Sequence, residues 1–409
     1  MAAKSMRLGN QSATVDLGRV GEIGTKVRQM VDELSFIFPE RLHLINQIVF
    51  ALLTQEHVLV FGLHGTGKSD LIHTLFGVFS GAKKFSIGLS KFMSEANIVG
   101  IPDPKKMRED GEVRYRRDGG ILDADFAELD ELFDSNPPLL RVLLGILNER
   151  QFKRGRQVED AKLHTAIACT NGEPEEEIKK HPELQAVVDR FLFLCQVKWL
   201  DNPESRRRMY EKFLSGECPT VSIPLSDLKY LSQIVVRANQ VSDPQFIAVF
   251  DRVVEEYLKK VNKKISDRRK CKLLQLVEAQ ALLYGRYDVA YEDLMAIRWG
   301  LCMGTNDADH EPFKAVAGPI IEKAVKEAAQ SLDEIQLKLL GAYEAEVPAI
   351  AKQCDEAELV KLARLFSGLK KKVGDIRPQL PSTEDRKRRL AETIAVKAEE
   401  VRVLIEKTS

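Results

Sequence analysis

The sequence predicts an α/β fold built on a largely parallel sheet, followed by an all-α domain and a helical tail. Three observations predict it. Between residues 58 and 198, short apolar runs alternate with helix-like stretches, the pattern of strands joined by helical crossovers. The string Gly62-Leu63-His64-Gly65-Thr66-Gly67-Lys68-Ser69 fits G-x-x-x-x-G-K-[ST], and it stands between an apolar run and a helical pattern. From Ser226 onward the apolar residues recur at helical spacing only.

Taken in order, residues 1–19 are polar and without periodicity, and are expected to be flexible. Val20–Phe38 and Pro39–Leu53 read as helices. Residues 20–222 are expected to form the α/β nucleotide-binding domain, with strands at His57–Phe61, Lys84–Ile87, Phe126–Asp130, Thr165–Thr170 and Phe193–Val197. The segment 223–308 reads as a small all-α domain with a turn at Gly285. Residues 309–409 are rich in Ala, Glu, Lys and Leu, and are punctuated at Pro348 and at Arg377–Pro381 into helices that must pack on one another or on a partner. No fixed-period repeat is visible.

The chain has 409 residues, with 61 Lys plus Arg balanced by 61 Asp plus Glu. A net charge of zero removes any global case for binding nucleic acid or an anionic membrane. No apolar run reaches the length of a bilayer span, and the N-terminus lacks the apolar segment of a signal peptide. The cysteines at 169, 195, 218, 271, 302 and 354 form no C-x-x-C or Cys/His cluster. A cytoplasmic protein with reduced cysteines is expected.

The glycine-rich string carries phosphate chemistry. Gly62, Gly65 and Gly67 let the backbone curl so that its N–H groups, with that of Thr66, point at phosphate oxygens. Lys68 supplies a point charge for the outer phosphates, and the Ser69 hydroxyl can hold Mg²⁺. Asp70 opens the helix that leaves the loop, and its N-terminus favours an anion. Hydrolysis also requires a carboxylate for the metal and a group to orient or deprotonate water. In Phe126-Ala127-Glu128-Leu129-Asp130-Glu131, Asp130 is the candidate metal carboxylate and Glu131 the candidate base. Glu128 interrupts a strand that should be apolar and shares a face with Asp130, close to the metal or as a partly buried carboxylate.

Beyond these motifs lie Gly119-Gly120-Ile121-Leu122, Asn136-Pro137-Pro138-Leu139-Leu140 and the run Leu143 to Phe152, which ends Asn148-Glu149-Arg150-Gln151-Phe152. Further on come Ile265-Ser266-Asp267-Arg268-Arg269 and Gly285-Arg286. Over residues 20–305 this set resembles the MoxR branch of AAA+ ATPases, and most of all its RavA subfamily. The tail shows no β-rich insertion of the kind RavA carries.

The resemblance implies roles. Asn171 stands at the sensor 1 position, beside the attacking water. Arg190 stands where the family carries an arginine finger, reaching the γ-phosphate of a neighbouring subunit. Arg268 matches sensor 2, expected to reach the γ-phosphate of its own subunit, with Arg269 next to it as the alternative. A helix-2 insert is implied near 88–120 and a pre-sensor hairpin near 150–163. Both are basic, through Lys105, Lys106, Arg108, Arg114, Arg116 and Arg117 and through Lys153, Arg154 and Arg156. With Tyr115 and Phe152 they could grip an acidic segment or a phosphate backbone. The resemblance implies ATP and Mg²⁺ as cofactors, a ring, expected to be a hexamer, and a protein partner with a von Willebrand factor A domain that the ATPase remodels or matures. Two alternatives stand beside it: a nucleic-acid or defence motor, and a nucleotide-gated scaffold in which Glu128 marks weakened hydrolysis.

Overall fold

A computed structural model describes residues 4–8, 11–102, 108–109, 115, 118–154, 157–237, 243–304, 307–341, 356–375 and 381–408. Two compact units are present. One holds Met1–Asn239, Lys264–Arg286 and Ala296–Phe313, and the other holds Gln240–Lys263, Tyr287–Met295 and Lys314–Ser409. Leu225–Arg237 and Asp267–Leu283, beyond the boundary expected near residue 222, fall in the sheet-bearing unit.

The first unit opens on a hairpin, β1 (Lys4–Leu8) and β2 (Gln11–Val15), paired antiparallel with Lys4 opposite Val15. The polar stretch expected to be flexible holds this two-stranded ladder. The helix α1 (Leu17–Ile37) starts at Asp16, whose side chain accepts the N–H of Arg19. Next comes α2 (Leu42–Thr54), which is buried on nearly every side. Its one deep amide, Gln47, donates to the carbonyls of Trp299 (2.9 Å) and Cys302 (3.0 Å).

The sheet comes next. In chain order the elements are β3 (Val58–Phe61), α3 (Lys68–Gly77), β4 (Phe79–Ser80), β5 (Lys84–Gly88), α4 (Ala96–Val99), β6 (Phe126–Asp130), α5 (Pro137–Glu149), the hairpin β7 (Gln151–Arg154) and β8 (Gln157–Asp160), β9 (Thr165–Thr170), α6 (Pro174–Lys180), α7 (Leu184–Val188) and β10 (Phe193–Gln196). Five strands pair in parallel in the order β10-β3-β9-β6-β5. The strands match their expected positions to within a residue, and the β7–β8 hairpin falls inside the expected 150–163. This order sets the carboxyl ends of β3, β9 and β6 side by side, where they open on one crevice. Beneath it Leu59, Ala127, Leu129, Ala168, Leu143 and Ile146 belong to one buried cluster.

The unit closes with α8 (Pro203–Ser215), β11 (Ile223–Pro224) parallel to β4, and α9 (Leu225–Arg237). The second unit includes α10 (Pro244–Lys260), where Phe246 stacks on Tyr291 at 5.3 Å. The helix α11 (Asp267–Leu283) returns to the first unit, capped by Ser266, and α12 (Arg298–Leu301) comes after it. Next are α13 (Asp307–Gly341), α14 (Glu356–Asp375) and α15 (Pro381–Thr408). Leu362, Phe366 and Leu369 of α14 form a buried cluster with Leu390, Ile394 and Val401 of α15 and Ile335 of α13, the helical packing expected of the tail. Pro348 and residues 377–380 of the expected breaks lie outside the described residues. Among the described residues, no helix is long and apolar enough to cross a membrane.

Candidate functional site

The glycine-rich loop joins β3 to α3. Gly62 has φ 145°, and a Cβ there would stand 2.1 Å from the Val197 carbonyl oxygen, so only glycine fits. Gly67 caps α3 in the left-handed region at φ 74°. Lys68 is buried under the loop and donates from Nζ to the carbonyls of Gly62 (2.8 Å) and Leu63 (3.0 Å). Burial lowers its pKa from the ordinary lysine value, and the nearby Cys169 and Asp130 oppose that shift. Thr66 is held from inside the protein: its hydroxyl donates to Leu63 O (3.1 Å), and its carbonyl accepts from buried Arg41 (3.4 Å). Ser69 is half-buried in the first turn of α3. Asp70 is exposed in the same turn, and its carboxylate is paired with Lys212 of α8.

Asp130 and Glu131 meet the loop at the carboxyl edge of the sheet. Gly62 N–H donates to Thr170 O at 3.2 Å, which ties the loop to the end of β9. Asn171 follows Thr170 and lies between the ends of β3 and β6. Asp130 ends β6, and its Oδ1 accepts the N–H of Glu131 at 2.9 Å. Glu131 itself is exposed and takes a left-handed backbone, φ 55° and ψ 43°. Strained non-glycine residues of this kind gather at functional sites. The loop backbone, the Lys68 ammonium, the Ser69 hydroxyl and the Asp130 carboxylate all stand at the carboxyl edge of the sheet, and they are the donor set that a nucleotide with Mg²⁺ requires.

The wall beside the loop has no counterpart among the sequence motifs. A cavity of about 560 Å³ is lined by Ile37, Phe38 and Pro39 at the end of α1, by Trp199 and Leu200 after β10, and by Met209 and Phe213 of α8, together with Gly65, Thr66 and Gly67. It is apolar enough for a flat base beside the phosphate cradle. The available signal is Met209 and Phe213, apolar residues four apart on helix α8.

A second cavity, of about 220 Å³, is lined by Arg190, Arg268, Asn148, Lys272, Glu56 and Gln275, among others. Arg190 follows α7, and its Nε is buried without a hydrogen-bond partner among the described residues. Arg268 donates to the Asn148 side chain. Arg268, expected from the resemblance to serve the phosphates of its own loop, lines a cavity with Arg190, while Gly65–Gly67 line the other one. The two neighbouring arginines sit differently. Arg269 is turned inward and donates to Leu192 O (2.8 Å) and Gly300 O (3.0 Å), and burial lowers its pKa to about 10. Arg268 keeps the exposed position.

Arg150, central to the Asn148–Phe152 string, is also structural. It donates to Leu147 O (2.9 Å), Gln55 O (2.6 Å) and His164 O (3.1 Å), and burial lowers it to about 10. It builds the floor of the arginine cavity from three segments.

Tyr115 and Phe152 do not present a gripping surface. They are 6% and 3% exposed and pack edge to face at 5.4 Å, with Arg154 over the Tyr115 ring and paired to Glu95 at 2.9 Å. The aromatics fasten the insert to the hairpin, because both are better buried than solvated. Lys153 pairs with Glu149. Lys105, Lys106, Arg114, Arg116, Arg117 and Arg156 lie outside the described residues.

Comparisons with known proteins agree with this layout. Residues 25–213 match the MoxR domain of MoxR–vWA–β-propeller ternary systems, and residues 245–314 match an AAA lid domain. An uncharacterized protein of Methanocaldococcus jannaschii is 28% identical over 328 residues, covering 78% of this chain and 80% of its own. Chaperone MoxR1 of Mycobacterium tuberculosis is 24% identical over 218 residues, covering 53% of this chain and 56% of its own. The crystal structure of a candidate ATPase from Cytophaga hutchinsonii superposes with a TM-score of 0.53 at 16% identity, over 76% of this chain and 96% of that one, which is a likeness of fold. With a phosphate loop at the carboxyl edge of a β10-β3-β9-β6-β5 sheet and both domain matches in place, the chain belongs to the MoxR-type AAA+ ATPases.

Proposed function

We propose that this chain is a Mg²⁺-dependent ATP hydrolase that works as a ring, expected to be a hexamer, and remodels a protein partner. One observation carries the reading. Gly65, Thr66 and Gly67 of the phosphate loop line one cavity, while Arg190 and Arg268 line a separate one. Two arginines held away from their own phosphate loop serve hydrolysis when a second copy brings its phosphates to them.

In this reading Gly62, Gly65, Thr66, Gly67 and Lys68 bind the phosphates, and Ser69 with Asp130 would hold Mg²⁺. The ion, when bound, neutralises charge on the phosphate oxygens. Glu131 takes a proton from water, and Asn171 orients that water. The base rests against the apolar wall of Phe38, Trp199 and Phe213. Asp70 acts through Lys212, tying α3 to the helix that closes this wall. Arg190 and Arg268 act together across the subunit boundary.

The partner is proposed from the family. The matched domain is named for systems that pair MoxR with a vWA protein, and the mycobacterial relative is named a chaperone. These names support a vWA-domain client, the cytoplasm is our proposed location, and the Asn148–Phe152 string keeps the RavA subfamily as our placement within the family. The buried Tyr115 and Phe152 weigh against the nucleic-acid reading.

The test is a mixing experiment. Arg190→Ala should abolish phosphate release yet retain ATP binding. Doped into wild-type protein, it should depress activity more than dilution does. Activity that falls in simple proportion to dilution refutes the shared site.

A further inference from the structure

Glu128 stands two residues before Asp130 on β6 and is 3% exposed. A buried carboxylate needs partners, because it has lost its water. Its Oε2 accepts from the hydroxyl of Ser86 at 3.0 Å, directly across the β5–β6 ladder, and pairs with Nε2 of His73 on α3. His73 is reached from the surface, its side chain 62% exposed. The helix it sits on is the one whose first turn carries Lys68 and Ser69.

The contact is one rung of a series. Phe76 of α3 stacks on Phe126 of β6 with centroids 4.7 Å apart and planes at 14°. About one turn nearer the helix start, His73 meets Glu128. Ser69 lies four residues before His73, and Asp130 lies two residues beyond Glu128 on the same strand face. The next rung therefore brings Ser69 towards Asp130. No backbone pairing joins β3 to β6 directly, since β9 lies between them. Two apolar surfaces can slide past each other at small cost, whereas a hydrogen-bonded pair between buried and exposed groups has one register.

We propose that Glu128 and His73 are positioning residues: their pair sets the axial register of α3 on β6, and with it the spacing of Ser69 from Asp130 on which Mg²⁺ binding depends. The proposal rests on the Mg²⁺–ATP reading of the site. It turns Glu128 from a sign of decayed hydrolysis into a support for it.

The test measures binding, so it does not depend on turnover. A fluorescent ATP analogue is titrated into the full chain in EDTA and again in Mg²⁺, and the ratio of the two Kd values gives the metal's contribution. His73→Ala should leave the Kd in EDTA unchanged and cut the metal's contribution by ~10-fold or more. His73→Gln, which can still donate to Glu128, should retain most of it. Adding Glu128→Gln to His73→Ala should cost little further. An unchanged metal contribution in His73→Ala overturns the positioning role. So does an equal loss of affinity in EDTA and in Mg²⁺, which would mark general damage. A wild-type protein that binds the analogue no better with Mg²⁺ overturns the reading of the site itself, and the positioning role with it.

Discussion

Asp130 holds Glu131 in its turn: the Asp130 carboxylate accepts the Glu131 backbone N–H at 2.9 Å while Glu131 sits in the left-handed region at φ 55°. The strand's last side chain thereby stabilises the strained backbone of the next residue. A left-handed conformation costs a non-glycine residue roughly 1–2 kcal/mol, and asparagine tolerates it best. Glu131→Asn is therefore expected to gain up to about 1 kcal/mol of stability, and to lose hydrolysis by ~10²–10⁴, as Glu131→Gln should. Thermal unfolding and phosphate release on the same preparations check both halves. Turnover at the wild-type level would remove Glu131 from the role of base.

The two neighbouring arginines of α11 should separate cleanly. Arg268 faces the cavity shared with Arg190, whereas Arg269 is half-buried and donates to the Leu192 and Gly300 carbonyls. Arg268→Ala is expected to keep the folded state and lower hydrolysis. Arg269→Ala leaves two buried acceptors unsatisfied and should cost about 2–4 kcal/mol of stability. Urea unfolding of both variants decides it, and the opposite ranking would reverse the assignment.

Arg150 should not tolerate lysine. Its guanidinium reaches three carbonyls from different segments, a fork that a single ammonium cannot reproduce. Arg150→Lys is expected to lose about 2–3 kcal/mol. A denaturation midpoint equal to wild type would show that the charge alone suffices.

Stability should fall on mild acidification. Burial pushes His164 and His310 down to about 4, and lowers His57 well below the ordinary value. The unfolded chain takes up these protons below about pH 6.5, while the folded chain refuses them until about pH 4. Stability is therefore full above about pH 6.5 and declines as pH falls from there towards about 4, by up to roughly 1.4 kcal/mol per pH unit per histidine. The unfolding temperature should be flat from about pH 8 to 7 and drop between about 6.5 and 5. His310→Gln should make that drop shallower. A profile that rises across this window contradicts buried neutral histidines.

Much of the fold is legible in the sequence because its signals are local. Val58–Phe61 is a strand by its own apolar run, the loop is a loop by its glycines, and Asp130–Glu131 is marked by its place at the end of Phe126–Leu129. The hairpin at Lys4–Val15 is not legible, since a ladder with little apolar patterning gives a weak signal. Tyr115 and Phe152 mislead for another reason. An aromatic beside basic residues reads as a gripping surface until packing buries it.

The sequence by itself determined the strand set, the phosphate loop and the residues at its carboxyl edge, because these depend on neighbours within a few positions. Only the tertiary structure decided which distant groups meet. It sent Arg268 to Arg190 and Arg269 into the interior, although the two differ only in the side of one helix they occupy. It joined residues 37–39 to residues 199–213 as the wall of the cavity beside the glycine-rich loop. It also placed His73 over Glu128, giving the one charged residue in the middle of a buried strand the partners that let it be buried there. Helix faces and strand ends point in directions that a pattern can read, but the partner at the far end is chosen by packing across the whole core.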